Sequence, residues 1–166
     1  MIAEQITLRP ARLHDLATLT DISLRAKAHW GYDDAFMEAC RDELTVTAAD
    51  LSTSTYHVAE QGGALIGLCA LNAPEMGANS CELHSLFVAP EAMGQGVGQL
   101  LMGWAIEEAK RRGATLIRLD ADSFAEGFYT KMGAICVGRV PSGSIPGRSL
   151  PLMELALGPA QPSSRR

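Results

Sequence analysis

The stretch VAPEAMGQGVGQLLMGWAIEEAKRRG, residues 88–113, decides how the chain is read. A strand-like run ends at Pro90, glycines follow at 94, 96 and 98, and an amphipathic pattern begins at once. Glycine costs a helix about 1 kcal/mol relative to alanine, so glycines at a helix mouth imply a need for bare backbone. A strand that runs through a glycine loop into a helix gathers free N–H groups at the positive end of the helix dipole, where an anion is held well. Each glycine lets the main chain approach an oxygen that a Cβ would block. A merely flexible turn is the plainer reading. It explains less, because the glycines alternate directly before a strong helix. The spacing excludes two nucleotide loops: Gln99 stands where a Rossmann loop needs its third glycine, and no Lys-Ser/Thr pair follows as in a P-loop.

The chain has 166 residues, 47% hydrophobic and 20% charged. That predicts one domain, residues 1–158, with a polar tail over 159–166 that is expected to be flexible. No apolar run approaches the ~20 residues of a membrane span, so no membrane partner is expected. A net charge of −5 and a pI near 5.3 argue against nucleic acid. Cys40, Cys69, Cys81 and Cys136 are scattered without zinc spacing, so no metal is expected. The opening MIAEQITLRPARLHD lacks the blocks of a signal peptide. Together with the cysteine pattern, this predicts a cytoplasmic protein.

Outward from the glycine loop the pattern reads as an α/β domain. QITLRP is a first strand, residues 13–28 an amphipathic helix, and 34–43 and 47–51 short helices, the last capped by Thr47. YHVAEQGGALIGLCALNA is a hairpin turning at Gly62-Gly63, and CELHSLFV a further strand. The helix after the loop should run over 98–112, with Leu101, Trp104, Ala105 and Ala109 as its apolar stripe and Gly113 as its stop. TLIRLDA, SFAEGFYTKM, AICVGRV and LPLMELAL then give strand, helix, strand, strand. The expectation is a mixed, largely antiparallel central sheet flanked by helices, with its one parallel element in the crossover between 81 and 121.

LFVAPEAMGQGVGQLLMGWAIEEAKRRGA, followed by DADSFAEGFYTKMGA, resembles the acetyl-CoA-binding core of the GNAT acyltransferase superfamily over residues 81–138. The family's loop pattern is Arg/Gln-x-x-Gly-x-Gly/Ala, and Met93 stands where Arg or Gln is usual. The resemblance implies acetyl-CoA as co-substrate, with its pyrophosphate on the N–H groups of Gly94, Gln95, Gly96, Val97, Gly98 and Gln99. It implies that Leu86, Phe87 and Val88 pair with the pantetheine arm like an added strand. Asp122 falls where the family often has a cofactor-contacting Asn. Tyr129, in AEGFYTKMG, matches the family's A-x-x-F-Y-x-x-x-G helix, where the hydroxyl faces the thioester sulfur, and a core aromatic is the alternative.

Acetyl transfer to an amine needs a base, because an alkyl ammonium is no nucleophile at neutral pH. Glu82 and His84 alternate on one face of CELHSLFV if that strand is regular. Glu82 sits where some family members carry a catalytic glutamate, His84 has the better intrinsic pKa, and a water relay also remains open. The oxyanion donor would be the N–H of Leu86 or its neighbour. Asp120 and Asp122 read as solvated acids closing a strand. Trp30 and Tyr32 lie in a region resembling the family's acceptor-side lid, or in a plain helix corner. Arg148, in the loop VPSGSIPGRSLP, either presents a fork to an anionic group of the acceptor or is a solvated loop residue. The expected function is acetyl transfer from acetyl-CoA to a primary amine of a small molecule. A longer acyl group and a non-catalytic acyl-CoA-binding or regulatory module are the alternatives. A homodimer is expected by fold-level analogy alone.

Overall fold

The chain folds around a seven-stranded sheet in a computed structural model that describes residues 5–72 and 79–158. The tail 159–166 lies outside the described residues. Strands are β1 (Thr7–Pro10), β2 (Ser54–Gln61), β3 (Ala64–Asn72), β4 (Ser80–Val88), β5 (Leu116–Asp120), β6 (Ile135–Pro141) and β7 (Ser149–Ala156). Helices are α1 (Leu16–Ala28), α2 (Asp34–Leu44), α3 (Ala48–Thr53), α4 (Val97–Arg111) and α5 (Glu126–Lys131). The sheet order is β1-β2-β3-β4-β5-β7-β6, and only β4 and β5 run parallel. That pair is joined by the crossover through α4, as the sequence pattern predicts.

Two apolar layers cover the sheet. On one face Leu101, Met102, Ala105 and Ala109 of α4 pack with Leu71, Leu83, Ile117 and Met153. On the other, Leu19 and Ile22 of α1 pack with Val58, Leu68 and Ala70. The α4 stripe differs from expectation at Trp104, which is only partly buried and stacks on His57 with ring centroids 4.0 Å apart. Met102 takes the buried place. Gly67 of β3 sets how closely α4 approaches. A Cβ there would meet Val97 Cγ1 at 3.0 Å and Leu101 Cδ1 at 3.1 Å.

Strand β4 is not regular. Ala70 pairs with Ser85 and Leu71 with Leu83, so His84 is an extra residue bulged out of the ladder. Before the bulge Cys81 and Leu83 face the α4 layer. After it Leu86 and Val88 do, and Phe87 turns to the α1 layer. A bulge shifts which residues face each side. Nothing in CELHSLFV announces it, since no glycine or proline marks the place.

Candidate active site

The parallel pairing of β4 with β5 covers only Ser80↔Leu116, Cys81↔Ile117 and Glu82↔Arg118. Beyond Glu82, β4 continues to Val88 without β5 beside it, so the sheet parts. Main-chain groups alternate sides along a strand. The Ala89 N–H donates to Ile66 O on β3 at 2.8 Å. Two residues earlier Phe87 points the same way, and the N–H groups of Leu86 and Val88 therefore face the open edge.

The glycine loop continues this edge. Gly94 (φ +83°) and Gly96 (φ +84°) are left-handed, a conformation that glycine adopts without strain, and Gly96 is the N-cap of α4. Gly98 has a different job. It is helical, and a Cβ there would lie 3.3 Å from the Phe128 ring. Among the described residues, the N–H groups of Gly94, Gln95, Gly96, Val97, Gly98 and Gln99 donate to no protein acceptor. No side chain caps α4, and no acidic residue occupies its first turn. Loop and edge together fit a CoA-type co-substrate, with main-chain donors for its phosphates and a free strand edge for its amide-bearing arm.

The parted strands open a cleft of about 460 Å³, lined among others by Glu82, His84, Leu86, Asp120 and Tyr129. Glu82 and His84 do not touch directly. The Ser54 hydroxyl bonds Asn72 Oδ1, Asn72 Nδ2 donates to Glu82 Oε1 at 3.2 Å, and His84 Nε2 lies 3.2 Å from Ser54 Oγ. An ionised Glu82 accepts only, which turns the Asn72 amide nitrogen toward it and its oxygen toward Ser54. Ser54 then gives its one proton to Asn72, so His84 Nε2 must donate to Ser54. His84 Nδ1 is left as an acceptor, 3.3 Å from Ser85 Oγ. The imidazole tautomer is thus fixed through three strands. Burial lowers the His84 pKa, while Glu82 and Asp50 pull it back up. Ser54 and Asn72 escaped the sequence reading because they belong to other strands and to no motif.

Tyr129 on α5 is 7% exposed, and burial raises its phenol above the ordinary range. Its hydroxyl bonds no described residue, while Phe128 beside it fills the space over Gly98. Asp120 lines the cleft, its carboxyl raised by burial and by Glu82.

Asp122 corrects an expectation. It is not a solvated acid; its side chain is 9% exposed. Its carboxylate accepts from the Phe124 N–H at 2.9 Å, Lys27 Nζ at 3.0 Å, Tyr32 Oη at 2.9 Å and Arg148 Nη2 at 3.2 Å. Burial opposes its charge, yet the Phe124 N–H and Lys27 hold it below the usual carboxylate range. Arg148 likewise is neither solvated nor a free fork, because Asp122 and Tyr32 (2.8 Å) engage it. These contacts tie the α1–α2 corner to the loop 142–148, and Ser144 adds a bond to Glu43 at 3.1 Å. Tyr32 stacks on Phe36 at 3.8 Å within this latch, while Trp30 lines the cleft and stacks on Phe124 at 5.8 Å.

Among the described residues no group of His, Cys, Asp or Glu forms a metal cluster, and no helix is long and apolar enough to cross a membrane. The profile of the acetyltransferase (GNAT) family matches residues 19–134. No curated protein matches the chain. Among solved structures, one described as a GCN5-related N-acetyltransferase and class-II aminotransferase from Rhodopseudomonas palustris is 26% identical, with a TM-score of 0.79 over 94% of this chain and 98% of that one. The PaiA N-acetyltransferase of Thermoplasma acidophilum, in complex with coenzyme A, is 22% identical with a TM-score of 0.76, over 92% and 99% of the two chains. YncA of Salmonella typhimurium, with its cofactor acetyl-CoA, is 22% identical with a TM-score of 0.66, over 98% of each.

Proposed function

The chain belongs to the GNAT family of acetyltransferases, and from that premise we propose that it moves the acetyl group of acetyl-CoA to a primary amine of a small molecule. The observation that carries this reading is the parting of β4 from β5. It leaves outward N–H groups at Leu86 and Val88, and Leu86 lines the same cleft as the Tyr129 phenol and the His84 imidazole.

Acetyl-CoA supplies an activated acyl carbon and a thiol leaving group. The N–H groups over 94–99 hold its pyrophosphate, and the β4 edge at Leu86 and Val88 pairs with its arm. The N–H of Leu86 stabilises charge that develops on the acyl oxygen. An alkyl ammonium with a pKa of about 10 must first lose a proton. His84 Nδ1 takes it, with Ser85 Oγ as the adjoining relay, and the chain from Nε2 through Ser54 and Asn72 to Glu82 steadies the imidazolium that results. The lowered pKa of His84 keeps it neutral and ready. Tyr129, held protonated by burial, returns a proton to the departing sulfur.

Incubating the purified protein with acetyl-CoA and a panel of primary amines, with thiol release and product mass as readouts, tests the proposal. Turnover with at least one amine is expected. Tight acetyl-CoA binding with no turnover across the panel would instead leave a non-catalytic acyl-CoA-binding module.

A further inference from the structure

We infer that the amine acceptor carries a second positive charge, a diamine or polyamine rather than an amino acid, because the cleft where it must enter is walled by an excess of carboxylates and by aromatic faces. The inference rests on the acetyltransferase reading above.

Glu43, Asp50, Glu82, Asp120 and Asp122 line the cleft, and Lys27 is the one Lys or Arg among its described lining residues, His84 being uncharged. Lys27 is paired to Asp122, which Arg148 also engages, so the basic groups are gathered at one corner. The neighbouring Arg118 is held by Glu154 at 3.1 Å. Among the described residues no Lys or Arg bonds the other acids, and Arg118 only partly offsets the field at Asp120. Glu43 accepts from a serine, Glu82 from an amide, Asp50 from the N–H of Thr47 at 2.8 Å, and Asp120 bonds none of the described residues. Burial and the field of Glu82 make a proton more welcome on Asp120, Arg118 opposes them and Glu43 adds to them, and an ammonium answers the same net field. Trp30, Tyr56 and Phe87 add π faces suited to a cation. Tyr129, 7% exposed as a residue and with a hydroxyl that bonds no described residue, marks where this cleft meets the reacting atoms. The geometry therefore gives the two ends of the acceptor different tasks. One nitrogen gives up its proton near His84, and a distal ammonium stays charged between Asp120 and Glu43.

The test uses three four-carbon acceptors: 1,4-diaminobutane, 1-aminobutane and 4-aminobutanoate. With acetyl-CoA, kcat/KM should fall in that order, by about tenfold at each step. Added salt should narrow the first gap. Asp120→Asn and Glu43→Gln should each raise the KM for the diamine about fivefold while moving that for 1-aminobutane less than twofold. A diamine used no better than 1-aminobutane, or a preference for 4-aminobutanoate that Arg148→Ala abolishes, overturns the inference and leaves the acetyltransferase reading standing. Calorimetric titration of the same three compounds into protein with coenzyme A present separates the two ideas. The dication binding tightest without turnover keeps the charge inference and removes the transferase reading. No order by charge, or no binding at all, removes the inference.

Discussion

The two halves of the proposed site are built from different material. The cofactor half is main chain: outward N–H groups on a parted strand and six more in a glycine loop. The acceptor half is side chain, contributed by α1, α2, α3, five strands and the loop 142–148, and latched where Asp122 gathers Lys27, Tyr32 and Arg148. A main-chain site depends on where the backbone goes, so its sequence mark is local and consists of glycines. A side-chain site depends on residues far apart in the chain. Lys27 meets Asp122 across 95 positions, and Ser54 meets His84 across 30. The first can be tuned only by changing backbone shape. The second can change its acceptor one side chain at a time.

Several substitutions probe that division, in falling order of expected effect. Tyr129→Phe removes the proposed acid at the junction of the halves and should lower kcat by roughly tenfold to a thousandfold, with acetyl-CoA affinity unchanged. Affinity falling along with kcat would place Tyr129 in the binding half instead.

Within the cofactor half, Gly96 and Gly98 should part company. Gly96→Ala puts a Cβ on a left-handed residue and should weaken acetyl-CoA binding by about tenfold or more, measured by calorimetry. Gly98→Ala meets the Phe128 ring at 3.3 Å but gains helix propensity, so affinity should stay within about threefold. Equal losses at both positions would mean the loop is sensitive to bulk alone.

In the acceptor half the base can be located by pH. As the proposed base His84 must be neutral, so the rate should fall as pH drops through a pKa lowered below the ordinary 6.5. His84→Ala should abolish that acid limb. Glu82→Gln removes a charge that raises the His84 pKa, so the limb should persist and move to lower pH. A limb lost with Glu82→Gln and kept with His84→Ala would transfer the base to the glutamate.

The smallest effect belongs to the latch. Arg148→Ala leaves Asp122 its bonds to Lys27 and the Phe124 N–H, and should lower Tm by about 3 °C. Acetyl-CoA affinity should not change. Calorimetry and thermal melts on the same samples would check both.

These contrasts explain what could be read without coordinates. Hydrophobic periodicity located the strands and helices, and the crossover into α4 located the parallel pair. The glycine loop was visible as the proposed meeting point of backbone and anion only because its mark is local. Gly98 looked like its neighbours, since spacing does not distinguish a positive φ from a packing contact with Phe128, thirty residues on. The bulge at His84 was invisible because it arises from pairing with β3 and not from a residue with special backbone freedom. Asp122 and Arg148 each looked solvated or free, and they are buried against each other by a latch that only the folded chain assembles. Ser54 and Asn72 had no motif at all. Their role follows from lying in one row across β2, β3 and β4.

The division between the halves is tested most directly by amide NMR of the 17.7 kDa protein during titration with acetyl-CoA. The largest shift changes should fall on the N–H groups of Leu86, Val88 and residues 94–99, with Lys27, Tyr32 and Arg148 little moved. Saturable binding that leaves the 94–99 amides in place and shifts the latch instead would contradict a main-chain cofactor site.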